Sequence, residues 1–387
     1  MTKAIHSGPL EGIRVLDFTN MMVGPYCTRL LADLGAEVIK IEPPSGDHNR
    51  SHTPLRNGRS TYFGHLNAGK LSVSLNLKNE HGLAAAIELV KHCDVVVENW
   101  RPGVADRIGL GYSALSAQRP DIVYCSISGF GQTGPKARHA AYAPIVHASS
   151  GFDLAHVAYQ GGGRPPNTGT FIGDMFGGMS ALAAIQTALL KRALRGGGQY
   201  IDVALLDGML NLLVWECQVA QFPDTPKRSH YRPFCTKDGY VSIAPTSQKN
   251  FVELSRALGH PEWVNDDRFC DQRRRDLNFT ELGELIEAWT KTKTSQECEE
   301  LLIAAAVPCS RYRTVAEVMQ DPSLAQRGTM SQVKDESGSY MVFNAPFQMP
   351  GCNTSVRERV PEKGEDTLDV LGRILGYSAE QAKACAL

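Results

Sequence analysis

The residues best placed for chemistry are Gly173-Asp174, at the head of a long helical pattern over 174–194. Met175, Met179, Leu182, Ile185 and Leu189 give that helix one apolar stripe. Lys191, Arg192 and Arg195 suit its C-terminal dipole, and Gly196 stops it. An Asp at such a start ordinarily serves as an N-cap, worth about 1 kcal/mol. Two features point further. Gly173, Gly177 and Gly178 strip side chains from around the carboxylate, leaving room for a bulky substrate. The helix N-terminus also favours the ionised form. A positioned, partly desolvated carboxylate of this kind is a nucleophile.

Other candidates surround it. Asn99-Trp100-Arg101-Pro102-Gly103 follows an apolar strand pattern, and Lys78, Arg101 and Arg107 are cations able to hold phosphates. For an arbitrary Lys or Arg, solvated surface charge is the ordinary fate. Gly129-Phe130-Gly131-Gln132-Thr133-Gly134 satisfies G-x-G-x-x-G after a strand, but Pro135-Lys136 follows in place of an apolar helix, so a plain glycine-rich turn is favoured over a dinucleotide site. His139 and His147 flank Tyr142 and are read as hydrogen-bonded structural histidines that could also line a site.

The elements that must position these groups form an α/β pattern. Residues 13–19 make a β-branched strand, and Pro25 sits in the first turn of a helix, where no N–H is needed. Leu30, Leu31 and Leu34 give that helix its buried stripe, Gly35 ends it, and Val38, Ile39 and Ile41 make a second strand. Further strands are expected at 71–77, 94–97, 122–127 and 200–203, with helices at 80–92, 113–118 and 205–219. Strands alternating with helices imply a parallel sheet covered on both faces, with ligands beyond the carboxyl ends of its strands. The loops after Thr19, Glu98 and Ser128 are therefore where binding belongs.

Composition narrows the classes. A formal net charge of -1 leaves no basic excess for nucleic acid. Ten Cys without a Cys-x-x-Cys pair read as reduced thiols, not as a disulfide framework or zinc site. No apolar run is long enough to span a bilayer, and residues 1–12 lack a signal-type apolar core, so a soluble cytoplasmic protein without a membrane partner is expected. The proline-bearing stretch near 222–230 marks a domain boundary.

The wording of the chain is more specific than its architecture. Leu10-Glu11-Gly12-x-x-Val15-Leu16-Asp17-x-Thr19, Gly24-Pro25, Asp33-Leu34-Gly35-Ala36-Glu37-Val38-Ile39-Lys40-Ile41-Glu42 and Gly46-Asp47-x-x-Arg50 resemble the opening of the class III coenzyme A transferases, the formyl-CoA and carnitine-CoA transferase type. Ser128-Gly129-Phe130-Gly131-Gln132, Gly169-x-x-x-Gly173-Asp174, Gly259-His260-Pro261-Glu262-Trp263 and Asn344-Ala345-Pro346-Phe347 extend the resemblance along nearly the whole chain.

That resemblance implies a large Rossmann-like domain (1–221), a linker (222–230), a small α+β domain (231–314), a return linker (315–330) and a C-terminal part (331–387) that rejoins the large domain, in an interlocked homodimer. It implies CoA transfer from an acyl-CoA to a free carboxylic acid, with Asp174 as the nucleophile through an aspartyl-acyl anhydride and an enzyme-CoA thioester. Met22, Val23, Leu75, Lys78, Asn99, Trp100, Arg101, Arg107 and Tyr142 are the expected CoA-binding residues. No permanent cofactor and no metal is implied, the CoA thioester being a substrate. Pro43 stands where some members carry an Arg for a phosphate. Related racemases place a His base where this chain has Tyr142, and a phenol titrating near ~10 is a poor base at neutral pH. A racemase using Asp174 is the first alternative, and a CoA-binding protein without turnover is the second. Arg50, Arg164 and Arg232 are available to pair a second carboxylate, which favours a small or dicarboxylic acid.

Overall fold

The computed structural model describes residues 8–166, 168–222 and 231–387. The chain divides into two units. One runs to Gln218 and includes Ser323–Leu387, and the other is Val219–Pro322. Of the connector expected at 222–230, only Phe222 is among the described residues. The return stretch at 315–330 is not extended chain. It carries short helices at Val315–Met319 and Pro322–Arg327.

In the first unit, strands β1 (Arg14–Asp17), β2 (Glu37–Glu42), β3 (Leu71–Ser74), β4 (Val95–Glu98), β5 (Val123–Ser128) and β6 (Gln199–Ala204) make one sheet in the order β3-β2-β1-β4-β5-β6. All neighbours are parallel. The helices used below are α1 (Val23–Asp33), α2 (Glu80–Val90), α3 (Ala143–Ser150), α4 (Ile172–Arg195), α5 (Leu205–Leu212) and α6 (Val214–Gln221). Because strand side chains alternate, each strand serves two cores. Val15, Val38, Val95, Val97 and Val123 pack with α1 and α4 on one face. Leu16, Ile39, Val73, Val96 and Tyr124 pack with α2 on the other.

The expected helix over 205–219 is two helices. Leu213 leaves helical geometry (φ -98°, ψ 41°) and donates its N–H to Leu210, three residues back. The break turns Leu213 inward while Leu212 and Val214 face solvent, a tertiary demand that apolar content alone does not reveal.

The second unit holds β7 (Pro233–Cys235), β8 (Tyr240–Ile243) and β9 (Cys309–Arg311) as an antiparallel sheet in the order β9-β8-β7. Helices α7 (Gln248–Ala257), α8 (Phe279–Thr290) and α9 (Ser295–Ala304) bury Phe251, Leu254, Leu282, Ile286 and Leu302 with Phe234 and Val241 of the sheet. Back in the first unit, β10 (Met330–Asp335) and β11 (Gly338–Phe343) form a hairpin, and α10 (Thr367–Leu375) and α11 (Ala379–Ala386) pack beside α2. Arg29, 1 % exposed on α1, donates to the Phe343 carbonyl at 2.7 Å, fastening the hairpin to the first Rossmann helix.

All ten cysteines are free thiols. Among the described residues no helix is long and apolar enough to cross a membrane.

Candidate active site

The strand order reverses direction between β1 and β4, and a crevice opens beyond their carboxyl ends at such a switch point. Two loops meet there. The Asn99 amide oxygen accepts from the Asn20 N–H at 2.9 Å, and its amide nitrogen donates to the Asn20 carbonyl at 2.8 Å. Asn99 thus clasps the β1 loop to the β4 loop. Phe18 and Trp100 meet with ring centroids 5.3 Å apart. Met21 holds a left-handed backbone (φ 63°), uncommon for a side chain of its kind, and the Asn49 amide donates to its carbonyl.

Buried charge stiffens the floor beneath these loops. Lys70 reaches Asp17 at 3.0 Å, and Lys40 bridges Asp47 and the Thr19 carbonyl, both at 2.8 Å. Burial alone would push the Asp17 carboxyl up, but Lys70, Lys40 and the Thr19 and Thr28 hydroxyls hold it at about 2. Burial lowers Lys70 to about 8 against the pull of Asp17.

Two hollows open side by side above this floor and share Asn20 and Trp100. The smaller is walled by Leu75, Lys78, Lys40 and Pro43 beyond β2 and β3. The larger, an open cleft of about 540 Å³, brings together Val23, Asn99, Trp100, Arg101, Tyr142 and Asp174. Six of the expected site residues therefore line one cleft, and Leu75 and Lys78 line its neighbour. Met22 lies elsewhere: it packs on the core between sheet and helices, and the strained Met21 takes its place in the wall. Arg107 ends the short helix Val104–Arg107 outside both walls, exposed.

The side chains of Lys78, Arg101 and Arg107 make no ion pair with another described residue. The cations expected to pair a second carboxylate are placed differently. Arg50 is held by both oxygens of Glu42 at 2.7 and 2.6 Å and lies over Phe63. Arg232 belongs to the second unit and pairs with Glu287 at 2.9 Å. Arg164 is exposed on the loop before α4 and is not among the residues that line the cleft. His48 and His139 line the cleft instead.

Asp174 is not an N-cap. The helix begins two residues earlier, with Phe171 at the cap, so Asp174 falls in the first turn. The flanking glycines also have a different purpose from the one expected. A Cβ on Gly177 would stand 2.3 Å from a Leu205 methyl, and one on Gly178 would stand 2.9 Å from both the Val23 carbonyl and the Tyr26 ring. These two glycines let α4 approach α1 and α5 closely, on the face turned to the core. Space over the carboxylate comes from the open cleft.

The half-buried Asp174 carboxylate accepts no hydrogen bond and meets no cation among the described residues. Burial alone raises its pKa from the ordinary 3.8 to about 6, although the expected dipole effect runs the other way. It remains mostly ionised at neutral pH and poorly solvated, the condition of a reactive carboxylate.

The glycine loop after β5 makes no dinucleotide turn: no helix follows until Ala143, and the Gln132 N–H donates to Asp202 at 3.0 Å. Ser128 and Gly129 at its start do line the cleft. The sequence reasoning missed Met21, His48 and Ser128 as wall residues. For Ser128 the signal was present, because the last residue of a parallel strand opens into the crevice.

Comparison with known proteins agrees with this geometry. Residues 10–367 match the model of CoA-transferase family III. The acetyl-CoA:oxalate CoA-transferase of Acetobacter aceti is 35% identical, covering 99% of both chains. The succinyl-CoA:glutarate CoA-transferase of Mus musculus is 32% identical over 95% of this chain and 87% of its own. A CAIB/BAIF family protein from Brucella suis superposes with a TM-score of 0.81 at 31% identity, covering 95% of this chain and 100% of that one. Rv3272 from Mycobacterium tuberculosis reaches 0.85 at 30% identity, covering 93% and 98%. With its Rossmann-type sheet and its carboxylate-bearing switch-point cleft, the chain belongs to CoA-transferase family III and is an enzyme of that class.

Proposed function

We propose that this enzyme moves CoA from an acyl-CoA donor to a free carboxylic acid by covalent catalysis at Asp174. One observation carries the reading: a poorly solvated, unpaired carboxylate in the first turn of α4 faces the cleft that Trp100 and Arg101 also line. An Asp174 oxygen attacks the thioester carbon, the C–S bond breaks, and CoA thiolate leaves an aspartyl-acyl anhydride. The thiolate then attacks the Asp174 carbonyl carbon, releasing the donor acid and forming the enzyme-CoA thioester. The acceptor carboxylate attacks that thioester and expels the thiolate, giving a second anhydride. Thiolate attack on the acceptor's carbonyl yields the new acyl-CoA and frees Asp174. Each anhydride is at least as activated as the thioester, so no step loses acyl activation.

The exposed Lys78, Arg101 and Arg107 suit the CoA phosphates because no carboxylate among the described residues pairs with them. A short dicarboxylic acid is the acceptor class we favour. His48 and His139 can meet its second carboxylate, and the relatives above are named for oxalate and glutarate. The cytoplasm is the expected compartment. An interlocked homodimer belongs to the same reading, supported by the exposed Leu190, Leu194, Leu210 and Leu212 on α4 and α5. The test is donor acyl-CoA with hydroxylamine and no acceptor. Mass spectrometry should find a hydroxamate on the Asp174 peptide, and its absence defeats the covalent route.

One observation favours a second reading. His139 lines the same cleft as Asp174 and could act as the opposing base of a racemase. A chiral 2-methylacyl-CoA in heavy water should gain no α-deuterium. Deuterium that is lost in His139→Ala would put the racemase in place of the transferase.

A further inference from the structure

The first turn of α4 holds a contact that the transfer steps do not use. His147 of α3, 1 % exposed, accepts the Gly173 N–H on its Nε2 at 3.0 Å. That N–H is one of the four that a helix start leaves without an internal partner. An imidazole nitrogen accepts only when it carries no proton, so the neutral ring must hold its hydrogen on Nδ1. Yet Nδ1 is buried with no hydrogen-bond partner among the described residues. An orphaned buried donor is destabilising, and an apolar side chain would fill the space without it. What the imidazole adds is the acceptor at Nε2. It is packed directly on the turn, since a Cβ built on Gly173 would stand 3.4 Å from Nε2.

A carboxylate in a helix's first turn ordinarily draws on these N–H groups, and each one accepted stabilises the anion and lowers its basicity. Asp174, next in sequence to Gly173, accepts none among the described residues. We propose that His147 is a positioning residue for the nucleophile: by accepting the Gly173 N–H it withholds that donor from the Asp174 carboxylate, which stays under-solvated and reactive. The role rests on the reading of Asp174 as the attacking group. Asp153 of the helix Phe152–Tyr159 acts on His147, His156 of that helix packs on the Phe152 ring that meets the imidazole, and Asp174 of α4 follows the contacted Gly173 in sequence. From α5, Met209 packs against the same turn and Asp207 is exposed. Burial keeps the His147 ring neutral against the pull of Asp153.

The experiment compares wild type, His147→Gln and His147→Leu by the rate of Asp174 hydroxamate formation from donor and hydroxylamine across pH. The Gln carbonyl can still accept the Gly173 N–H, so its acid limb should coincide with that of wild type. Leu frees the N–H for Asp174. Its acid limb should fall by about one pH unit, and the plateau rate by about three- to tenfold, with donor KM within about twofold. An unshifted limb in His147→Leu, or an equal shift in His147→Gln, overturns the proposal. If His147→Leu does not fold, the ¹⁵N shifts of the wild-type imidazole decide. A proton on Nδ1 agrees, whereas a proton on Nε2 refutes, because that nitrogen would then donate. No Asp174 hydroxamate in wild type would overturn the covalent reading itself, and this role with it.

Discussion

Asp174→Asn separates what the nucleophile does for catalysis from what it costs the fold. Burial lifts its pKa from 3.8 to about 6, so the fold disfavours the ionised side chain. A shift of that size corresponds to about 3 kcal/mol. The side chain keeps partial contact with solvent in an open cleft, and screening reduces the expected effect to about 1–2 kcal/mol. The sign follows from linkage. A group whose folded pKa lies above its unfolded value contributes stability that is complete below the unfolded value and lost as pH rises through the folded one. For Asp174 that window runs from 3.8 to about 6. Asparagine has nearly the same shape and no charge in this range. The variant should match wild type near pH ~4 and be more stable at pH ~8, by about 2–4 °C in unfolding temperature. It should form no hydroxamate and transfer no CoA, while CoA binding changes by less than about 1.4 kcal/mol. The assay is thermal unfolding of both proteins over a pH series. A stability difference that does not vary with pH, or an Asn variant weaker at pH ~8, would show that hydrogen bonds stabilise the anion and would refute the under-solvated nucleophile.

Gly178→Ala should destabilise the first unit by about 1–2 kcal/mol, overpacking against α1 exceeding the gain in helix propensity. Gly169→Ala, with open space around it, is the neutral control. Denaturant midpoints decide, and an unweakened Gly178→Ala with a raised KM would return that glycine to substrate clearance. Arg107→Ala should raise KM for several CoA esters about tenfold with little change in kcat, because a phosphate contact is equal in ground and transition states. Steady-state kinetics with unchanged KM would leave Arg107 as plain surface charge.

The elements were legible because their signals are local. The β-branched run in residues 13–19, the apolar Val38, Ile39 and Ile41, a leucine stripe stopped by Gly35, and the apolar period from Met175 to Leu189 act over a turn or a strand. The crevice followed too, since parallel strands of this kind place their ligand loops at one end. The prominence of Asp174 came from its position at the head of a long helix.

What the tertiary structure alone decided is which groups face one another. Gly177 and Gly178 looked like clearance for substrate, yet their neighbours are Leu205, Val23 and Tyr26, brought there by helix packing. Arg50 looked free, but the fold of β2 and the following loop puts Glu42 on it. Met22 and Met21 exchange roles because a single left-handed residue rotates the loop. His147 meets Gly173 across 26 residues of sequence, a contact no period encodes. The amino-acid sequence by itself determined the strands, the helices and the nucleophile's place on one of them, because those depend on neighbours along the chain. Its solvation, its packing and its free cations depend on neighbours in space, and only the folded sheet with its covering helices supplies those.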